Sequence, residues 1–338
     1  MNKKPTLKDV ARIAGVSLGS ASAALSNPEK LKPQTRDKIL EVIKSIGYIK
    51  NDSARALVSK KTNSIAIIVP TIDNPLYSGL VASAQKILSA HHYHLLIGTH
   101  EYEFEQEYDV IRSMVEKGID GLIILGSQHT EDVYQLLKIR NIPYVLSLSL
   151  DETKEHHSVG FSNFQASYSI AKVVVNMGHR KIALCGGSHT FNERAREREA
   201  GAISALSESK IKIPEHWKLR KALSIEGGRE AFRKLWSYDE KPTALICGTD
   251  YQALGAIDEA KKYNVKIPNQ LSITGFDDIE FASLCTPSLT TMKVPFSELG
   301  SRSALHLLDM INGNNPIIME PIATSLILRD SLSVCVKS

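Results

Sequence analysis

Thr6-Leu7-Lys8-Asp9-Val10-Ala11-Arg12-Ile13-Ala14-Gly15-Val16-Ser17-Leu18-Gly19-Ser20-Ala21-Ser22-Ala23-Ala24-Leu25-Ser26-Asn27 decides the fold of the amino-terminal part of the chain. Thr6 stands as an N-cap with Asp9 three residues on, and Leu7, Val10, Ala11 and Ala14 recur at helical spacing on one face. Gly15 ends that helix and Val16 packs inward. Ser17 caps a second helix, whose inner side is Ala21, Ala24 and Leu25 and whose open side carries Leu18, Gly19, Ser20 and Ser22. Pro33 opens a third helix in which Ile39, Leu40, Ile43 and Ile46 face inward, and Gly47 stops it. Three short helices around one small core, the second with small side chains on its free face, form a helix-turn-helix. A plain helical hairpin carries the same caps and spacings, so charge has to arbitrate.

From Met1 to Thr62 the chain has thirteen Lys and Arg against five acids, a balance of +8. The whole chain is +4, which leaves −4 for the rest. A basic head on a mildly acidic body is what neutralising phosphates requires, and it points to double-stranded DNA as a partner. Leu18, Ser20 and Ser22 suit thymine methyls and base edges, while Lys8, Arg36, Lys50 and Arg55 suit phosphates.

Beyond the head, apolar runs alternate with amphipathic helices. Ile65 to Val69, Leu95 to Ile97, Leu122 to Leu125 and Tyr144 to Leu148 read as buried parallel strands, with helices around Leu80 to Ala90, Phe104 to Lys117 and Val133 to Arg140. A second series follows. Its strands are Lys181 to Cys185, Ala244 to Cys247 and Leu271 to Thr274; its helices lie near Ala166 to Met177, Arg198 to Leu206, Arg229 to Trp236 and Ala253 to Tyr263. Two βα series of similar size predict an α/β core of two lobes with parallel, doubly wound sheets, and 338 residues suffice for both cores beside a small all-α headpiece. Ligands in such architectures sit outside the carboxyl ends of the strands. Arg198, opening the helix after the Cys185 strand, Thr249 and Asp250 after the Cys247 strand, and Asp277 after the Thr274 strand arrive at such places. A guanidinium beside a carboxylate donates to and accepts from adjacent hydroxyls, the chemistry that separates a polyol from an apolar molecule. The alternative is that these charges only pair with each other.

Several motifs fall in one order: Thr6 to Ala11 with Ala14-Gly15-Val16-Ser17, Thr35-Arg36, Gly47-Tyr48-Ile49, Asn51 to Leu57, Asp73-Asn74-Pro75, Gly118 to Ile123, Gly178 to Ile182, Arg196-Glu197-Arg198, Asp250 to Gly255, Gly275 to Asp278 and Leu289-Thr290-Thr291. In this order the chain resembles the lactose-repressor (LacI/GalR) family of bacterial transcription regulators over essentially its full length. The resemblance implies a periplasmic-binding-protein fold for the core. It implies a headpiece with hinge over residues 1–61 and an effector-binding, dimerising core over 62–338. Lobe 1 would cover about 62–161 plus 293–324, and lobe 2 about 162–292 plus 325–338, with crossings near Phe161, Met292 and Thr324. Asn51 to Val58 would form a hinge helix that folds on DNA while Leu57 wedges into the minor groove. Asn51 as a cap, Ala54 and Ala56 as helix formers, and an apolar Leu57 between polar neighbours allow this independently. So short a helix is marginal in water and needs DNA and a partner chain for stability. The DNA-contact set is then Thr6, Lys8, Ser17, Leu18, Gly19, Ser20, Ser22, Asn27, Arg36, Tyr48, Asn51, Ala54, Arg55 and Leu57. For the effector the resemblance marks Arg198 and Asp277, with Thr249, Phe296 and the Asn74-Pro75-Leu76-Tyr77 loop lining the pocket.

The expected protein is therefore a homodimeric repressor, with a tetramer as the less simple alternative, that reads a pseudo-palindromic operator under control of a small molecule, a sugar or sugar derivative by preference, with a nucleoside, an acid or another small molecule as the alternatives. Departures from the family pattern bear on specificity. Ala23 stands where most members carry Arg, Gly19 replaces a larger side chain, Lys32 takes a usual Ser/Thr cap position and Lys50 a usual Pro position. Thr249 replaces an Asn common in sugar-responsive relatives, Leu148 and Ser149 lie where an Asp is frequent, and Leu223 lies where some carry a stacking aromatic.

Other constellations carry less. His91, His92, His94 and His100 lack a Cys or carboxylate at ligand spacing, so no metal is expected, and no cofactor either. Cys185, Cys247, Cys285 and Cys335 are widely spaced, which favours free thiols and a reducing cytoplasm over a disulfide framework. Met1 to Pro5 leads into no apolar stretch long enough for a signal or membrane helix. An enzyme reading finds Gly186-Gly187-Ser188 without a P-loop Lys and no nucleophile elbow. A transport-type binding protein would share the two lobes but not the basic head.

Overall fold

The computed structural model describes residues 5–49, 61–72, 74–188, 190, 192–314 and 316–335, apart from the side chain of Phe104. Asn51, Ala54, Arg55 and Leu57, with the whole expected hinge helix, lie outside the described residues. The chain divides into two compact units, Met1–Thr62 and Asn63–Ser338.

The first unit is built from α1 (Leu7–Ala14), α2 (Leu18–Ser26) and α3 (Pro33–Ile46), with a 3-10 turn at Pro28–Lys30. At Thr6 the hydroxyl accepts from the Asp9 amide while the Asp9 carboxylate accepts from the Thr6 amide, so two otherwise orphaned donors are satisfied reciprocally. Gly15 ends α1 and Gly47 ends α3, both in the left-handed conformation at φ 63° and 64°, which glycine adopts without cost. Val10, Ala11, Ala14, Ala21, Ala24 and Ile39 form the buried core, with Leu7, Val16, Leu31, Val42, Ile43, Ile46 and Tyr48 packed against it. Leu40 does not join the inward stripe of α3. It is 43% exposed, because Ile39, Val42, Ile43 and Ile46 already define the buried face and the next residue is turned off it.

The second unit contains two six-stranded sheets. The first comprises β1 (Ser64–Val69), β2 (His94–Thr99), β3 (Gly121–Leu125), β4 (Tyr144–Ser147), β5 (Ser158–Gly160) and β11 (Met319–Pro321), in the order β11-β5-β4-β3-β1-β2, all parallel. Between these strands run α4 (Leu76–Ala90), α5 (Phe104–Lys117) and α6 (Glu131–Arg140). The second comprises β6 (Ile182–Gly186), β7 (Lys218–Arg220), β8 (Ala244–Cys247), β9 (Ser272–Asp277), β10 (Thr290–Lys293) and β12 (Ser325–Ile327), in the order β12-β10-β9-β8-β6-β7, parallel except for antiparallel β12. Its helices are α7 (Asn163–Asn176), α8 (Glu193–Glu208), α9 (Ile225–Trp236), α10 (Asp250–Lys262) and the short α11 (Glu280–Leu284). The last helix, α12 (Phe296–Ile311), returns to the first sheet, so the chain passes between sheets after β5, after β10 and after β11.

The buried strands carry uninterrupted apolar runs, Ile65 to Val69 and Gly121 to Leu125, because helices cover both faces of each sheet. One apolar cluster runs from Ile65, Ile67 and Ile123 of the first lobe through Phe161 and Phe276, whose rings stack at 6.3 Å, to Leu184 and Ile246 of the second. Helix pairs approach closely where a side chain is absent. A Cβ on Gly201 of α8 would stand 2.1 Å from the carbonyl oxygen of Phe164 on α7.

Candidate functional site

A cavity of about 810 Å³, counting its open mouth, lies between the two sheets. Almost every strand contributes at its carboxyl end. Asn74, Leu76 and Tyr77 follow β1, Tyr102 follows β2, Leu148 follows β4 and Phe161 follows β5. From the second sheet come Gly187 after β6, Leu223 after β7, Thr249 after β8 and Asp277 at the end of β9, while Phe296 begins α12 after β10. Parallel strands place all such loops at one edge, which is why residues far apart in sequence converge here.

Arg198 and Asp277 form its polar centre. Arg198 sits in the second turn of α8, which already begins at Glu193; the charged run 193–197, two Glu and two Arg about one Ala, concealed the helix start from a reading based on apolar spacing. Its Nε donates to Asn163 Oδ1 at 2.9 Å and its Nη1 to the Gly248 carbonyl at 2.7 Å, and the guanidinium lies 3.7 Å above the Phe276 ring. Nη1 is 3.7 Å from Asp277 Oδ1, so the two charges face each other loosely. Asp277 is 3% exposed, and its Oδ2 is buried without a hydrogen-bond partner. Burial drives the Asp277 carboxyl well above its ordinary range, more strongly than Arg198 draws it down, and burial likewise lowers the Arg198 pKa. A carboxyl oxygen with no partner beside the cavity is free to exchange a hydrogen bond with a ligand hydroxyl or amine, and Arg198 has further N–H groups to donate.

Around this centre the walls are mainly apolar: Leu76, Leu148, Phe161, Leu184, Leu223, Ile246 and Phe296. Tyr77 is buried, with its hydroxyl 3.2 Å from that of Tyr102, and burial raises its pKa well above the phenol norm. Leu76 and Tyr77 belong to the first turn of α4 rather than to a loop, with Asn74 Oδ1 accepting from the Leu76 amide. Thr249 lines the cavity while its hydroxyl caps α10 by accepting from the Gln252 amide.

Asp250 does not line the cavity. It is fully buried behind β9 and β10, where Oδ1 accepts from Thr291 Oγ1 at 2.5 Å and Oδ2 from the Ile279 amide at 2.9 Å. At the first position of α10 its side chain turns into the lobe, and Gly275 leaves room for it: a Cβ there would meet Oδ1 at 2.1 Å. Burial raises the Asp250 pKa to about 7. The position after a strand was legible in sequence; the direction of the side chain was not. Tyr102, Asn163, Arg194 and Phe276 were missed. Of these only Arg194 had a signal, since it stands four residues before Arg198 on the same helical face.

In the first unit, Leu18, Gly19 and Ser22 stand exposed on α2 and Asn27 at its end, Leu18 at 46%. Thr6 and Ser17 are occupied as caps, and Ser20 Oγ lies 2.9 Å from Ser17 Oγ. Lys8 is exposed, Tyr48 is half-buried, and the guanidinium of Arg36 pairs with Asp37 at 2.9 Å.

Among the described residues no three His, Cys, Asp or Glu side chains are grouped to hold a metal ion, and His91, His92 and His94 are exposed. Cys185, Cys247, Cys285 and Cys335 are free thiols, the first two buried at facing positions of β6 and β8. Among the described residues no helix is long and apolar enough to cross a membrane.

Residues 6–51 match the family described as "Bacterial regulatory proteins, lacI family", and residues 171–332 match a periplasmic binding protein-like domain. Catabolite control protein A of Priestia megaterium is 32% identical over 88% of this chain and 89% of its own length. The HTH-type transcriptional repressor CytR of Escherichia coli (strain K12) is 31% identical over 92% of this chain and 91% of its own. Among solved structures, the lac repressor dimer bound to operator and the anti-inducer ONPF superimposes with a TM-score of 0.86 at 24% identity, covering 97% of this chain and 99% of that one.

Proposed function

Because this chain belongs to the lacI family of bacterial regulatory proteins, and is a DNA-binding transcription regulator whose relatives are regulators and not enzymes, we propose that it is a repressor whose operator affinity is set by a sugar or sugar derivative held between its two core lobes. The observation that carries the ligand half of this reading is the buried, unpartnered Oδ2 of Asp277 beside the Arg198 guanidinium, at the carboxyl edge of two parallel sheets. An acceptor and a donor held side by side suit adjacent hydroxyls, while Phe161, Leu223 and Phe296 suit the apolar face of a ring. Leu76, Tyr77 and Thr249 complete the contacts; Asp250 holds the lobe behind them.

On the DNA side, the free face of α2 with Leu18, Gly19 and Ser22 enters the major groove. Thr6, Ser17 and Ser20 shape the ends of the two helices, and Lys8, Asn27, Arg36 and Tyr48 take the backbone. Asn51, Ala54, Arg55 and Leu57 are assigned to the hinge on sequence alone. Residues 1–61 act as the reader and 62–338 as the receptor. Two chains pair so that two headpieces span half-sites of a pseudo-palindromic operator, as in the lac repressor dimer. The ligand acts through its differential affinity for two lobe arrangements, and a coupling of about 1–3 kcal/mol suffices.

Selection of genomic duplexes bound by the full chain, followed by anisotropy titration of the selected sequence with and without a panel of mono- and disaccharides and their phosphates, tests both halves. One duplex preferred over random competitor, with affinity that falls steeply with salt and moves with one of the sugars, is the expected result. Absence of any salt-sensitive preference refutes the regulator; an operator indifferent to the whole panel refutes the sugar.

A further inference from the structure

The first turn of α8, on the second lobe, reaches across the cleft. Glu193 Oε1 accepts from the backbone amide of Ser127 at 2.9 Å and from the hydroxyl of Ser149 at 3.1 Å, both on the first lobe, in the loops after β3 and β4. The Arg194 Nη1 donates to the same oxygen at 3.1 Å, and Arg196 extends the contact through a hydrogen bond to Gln128. The approach is possible only because Gly126 is bare. A Cβ there would stand 2.4 Å from Arg194 Nη1 and 2.7 Å from Glu193 Oε1, and its φ of 105° excludes other residues without strain. The side chains of Glu193 and Arg194 are each 10% exposed.

We propose that Glu193 is a positioning residue: its carboxylate, carried on the second lobe, seats in a cradle on the first lobe made of the Ser127 amide, the Ser149 hydroxyl and the bare backbone of Gly126. This clasp sets the lobe separation at which the cavity is assembled, before any ligand enters. It rests on the two-lobed cleft of the proposed function, and on neither the identity of the ligand nor the DNA.

Position and desolvation cost together assign this role. An ion pair between neighbours Glu193 and Arg194 alone would need no contact with the other lobe, and a buried carboxylate whose partners were removed would be strongly unfavourable. Here two of the three donors to its Oε1 come from the first lobe. Opening the cleft exchanges both for water and leaves only the donors of its own segment, Arg194 and the Glu193 amide, so the clasp favours closure by the surplus of two fixed charge-assisted hydrogen bonds over hydration. Burial by itself raises the Glu193 pKa, yet Arg194 and the Ser127 amide hold it below the ordinary value, so the group stays charged at neutral pH and the clasp is a charged one. The Ser149 hydroxyl donates to Glu193, whereas a carboxylate at that position would oppose it with a like charge.

Nitroxide labels at Glu103→Cys and Ala222→Cys, exposed positions beside the cavity residues Tyr102 and Leu223, report the gap between the lips of the two lobes. The measurement uses the full chain without ligand, with Cys285 and Cys335 changed to Ser and labelled protein diluted into unlabelled. The unmutated clasp is expected to give the short distance. Glu193→Ala is expected to shift the ratio of short to long distances roughly ten-fold or more towards the long one, as befits loss of a buried charge-assisted contact. Glu193→Gln, which keeps an oxygen to accept from Ser127, is expected to restore part of the short population, a rescue that a merely space-filling role would not grade in this way. Ser149→Ala and Gly126→Ala attack the same contact from the first lobe and decide the matter if Glu193→Ala does not fold. Unchanged distance distributions in the folded variants, or a long distance already in the unmutated clasp, overturn the proposal. Duplex binding measured on the same samples keeps the two readings apart: a chain that binds no duplex refutes the regulator, and the distances still decide the clasp.

Discussion

Replacing Asp250 by Asn separates a structural carboxyl from a ligand contact, and the size of the effect follows from its surroundings. Asp250 is fully buried, and its pKa is raised from 3.8 to about 7, chiefly by that burial. Between these two values the folded chain holds a proton that the unfolded chain releases. Stability from this group is therefore complete below pH 3.8 and is lost as pH rises through about 7. At 1.36 kcal/mol per unit, the loss between pH 5 and 8 is about 3 kcal/mol. In the Asp250→Asn variant the amide nitrogen can donate to Thr291 Oγ1 and the amide oxygen can accept from the Ile279 amide, the same two partners Asp250 has at 2.5 and 2.9 Å, with nothing left to ionise. Asp250→Asn is expected to match the parent only below about pH 3.8, and its advantage over the parent should be about 3 kcal/mol larger at pH 8 than at pH 5.

Urea unfolding at the two pH values, followed by the fluorescence of Trp217 and Trp236 in the same lobe, measures this. Shifted groups that do not interact with Asp250, such as Glu197, raised to about 7, and His179, lowered, both through burial, are common to the two proteins and cancel in the difference; Asp277, which the Asp250 charge pushes up, moves in the same direction as Asp250 and is read with it. A parent and variant whose stabilities move equally between pH 5 and 8 would refute the burial argument. Ligand affinity should be unchanged at pH 5, where Asp250 is uncharged and its side chain does not line the cavity.

Arg198→Ala should abolish the response of operator binding to ligand while leaving ligand-free operator affinity intact, read as the anisotropy midpoint with and without the sugar that moves the parent. Ser17→Ala removes the oxygen that accepts from the Ser20 amide at 3.0 Å, and should cost about 1 kcal/mol in the headpiece, seen as faster amide exchange in the first turn of α2. Gly201→Ala forces a Cβ to within 2.1 Å of the Phe164 carbonyl oxygen; despite a helix-propensity gain of up to ~1 kcal/mol, separation of α7 and α8 should lower stability by about 1–3 kcal/mol, measured as the urea midpoint.

How much the chain discloses in one dimension depends on whether the deciding interaction is local. Caps are local, so Thr6, Ser17, Gly15 and Gly47 fix the headpiece helices from sequence. Strands such as Ile65–Val69 and Gly121–Leu125 are long apolar runs and equally legible, whereas the three-residue strands β5, β7, β11 and β12 carry no periodic signal and exist because a neighbouring strand offers its edge. Arg198, Thr249 and Asp277 could be placed at the cavity from sequence because a βα fold fixes where its loops converge. The side on which a residue faces within the loop is a tertiary matter: Asp250, expected at the cavity, turns into the core, and Tyr102, for which the sequence raised no expectation, is drawn in beside Tyr77.

The same distinction explains where the backbone is strained. Leu148 at φ 71°, Tyr102 at φ 65° and Asp277 at φ 119° all line the cavity, and none is a glycine. Each such conformation costs of order 1–3 kcal/mol and persists only where packing over-determines it. At Leu148 the carbonyl oxygen accepts from Asn163 Nδ2, and the Oδ1 of that same Asn163 accepts from Arg198 Nε. A strained residue of the first lobe is thus joined through one side chain to the guanidinium that lines the cavity from the second. Loss of the Asn163 side chain would break both hydrogen bonds at once, so this tie between the two lobes stands or falls with one residue.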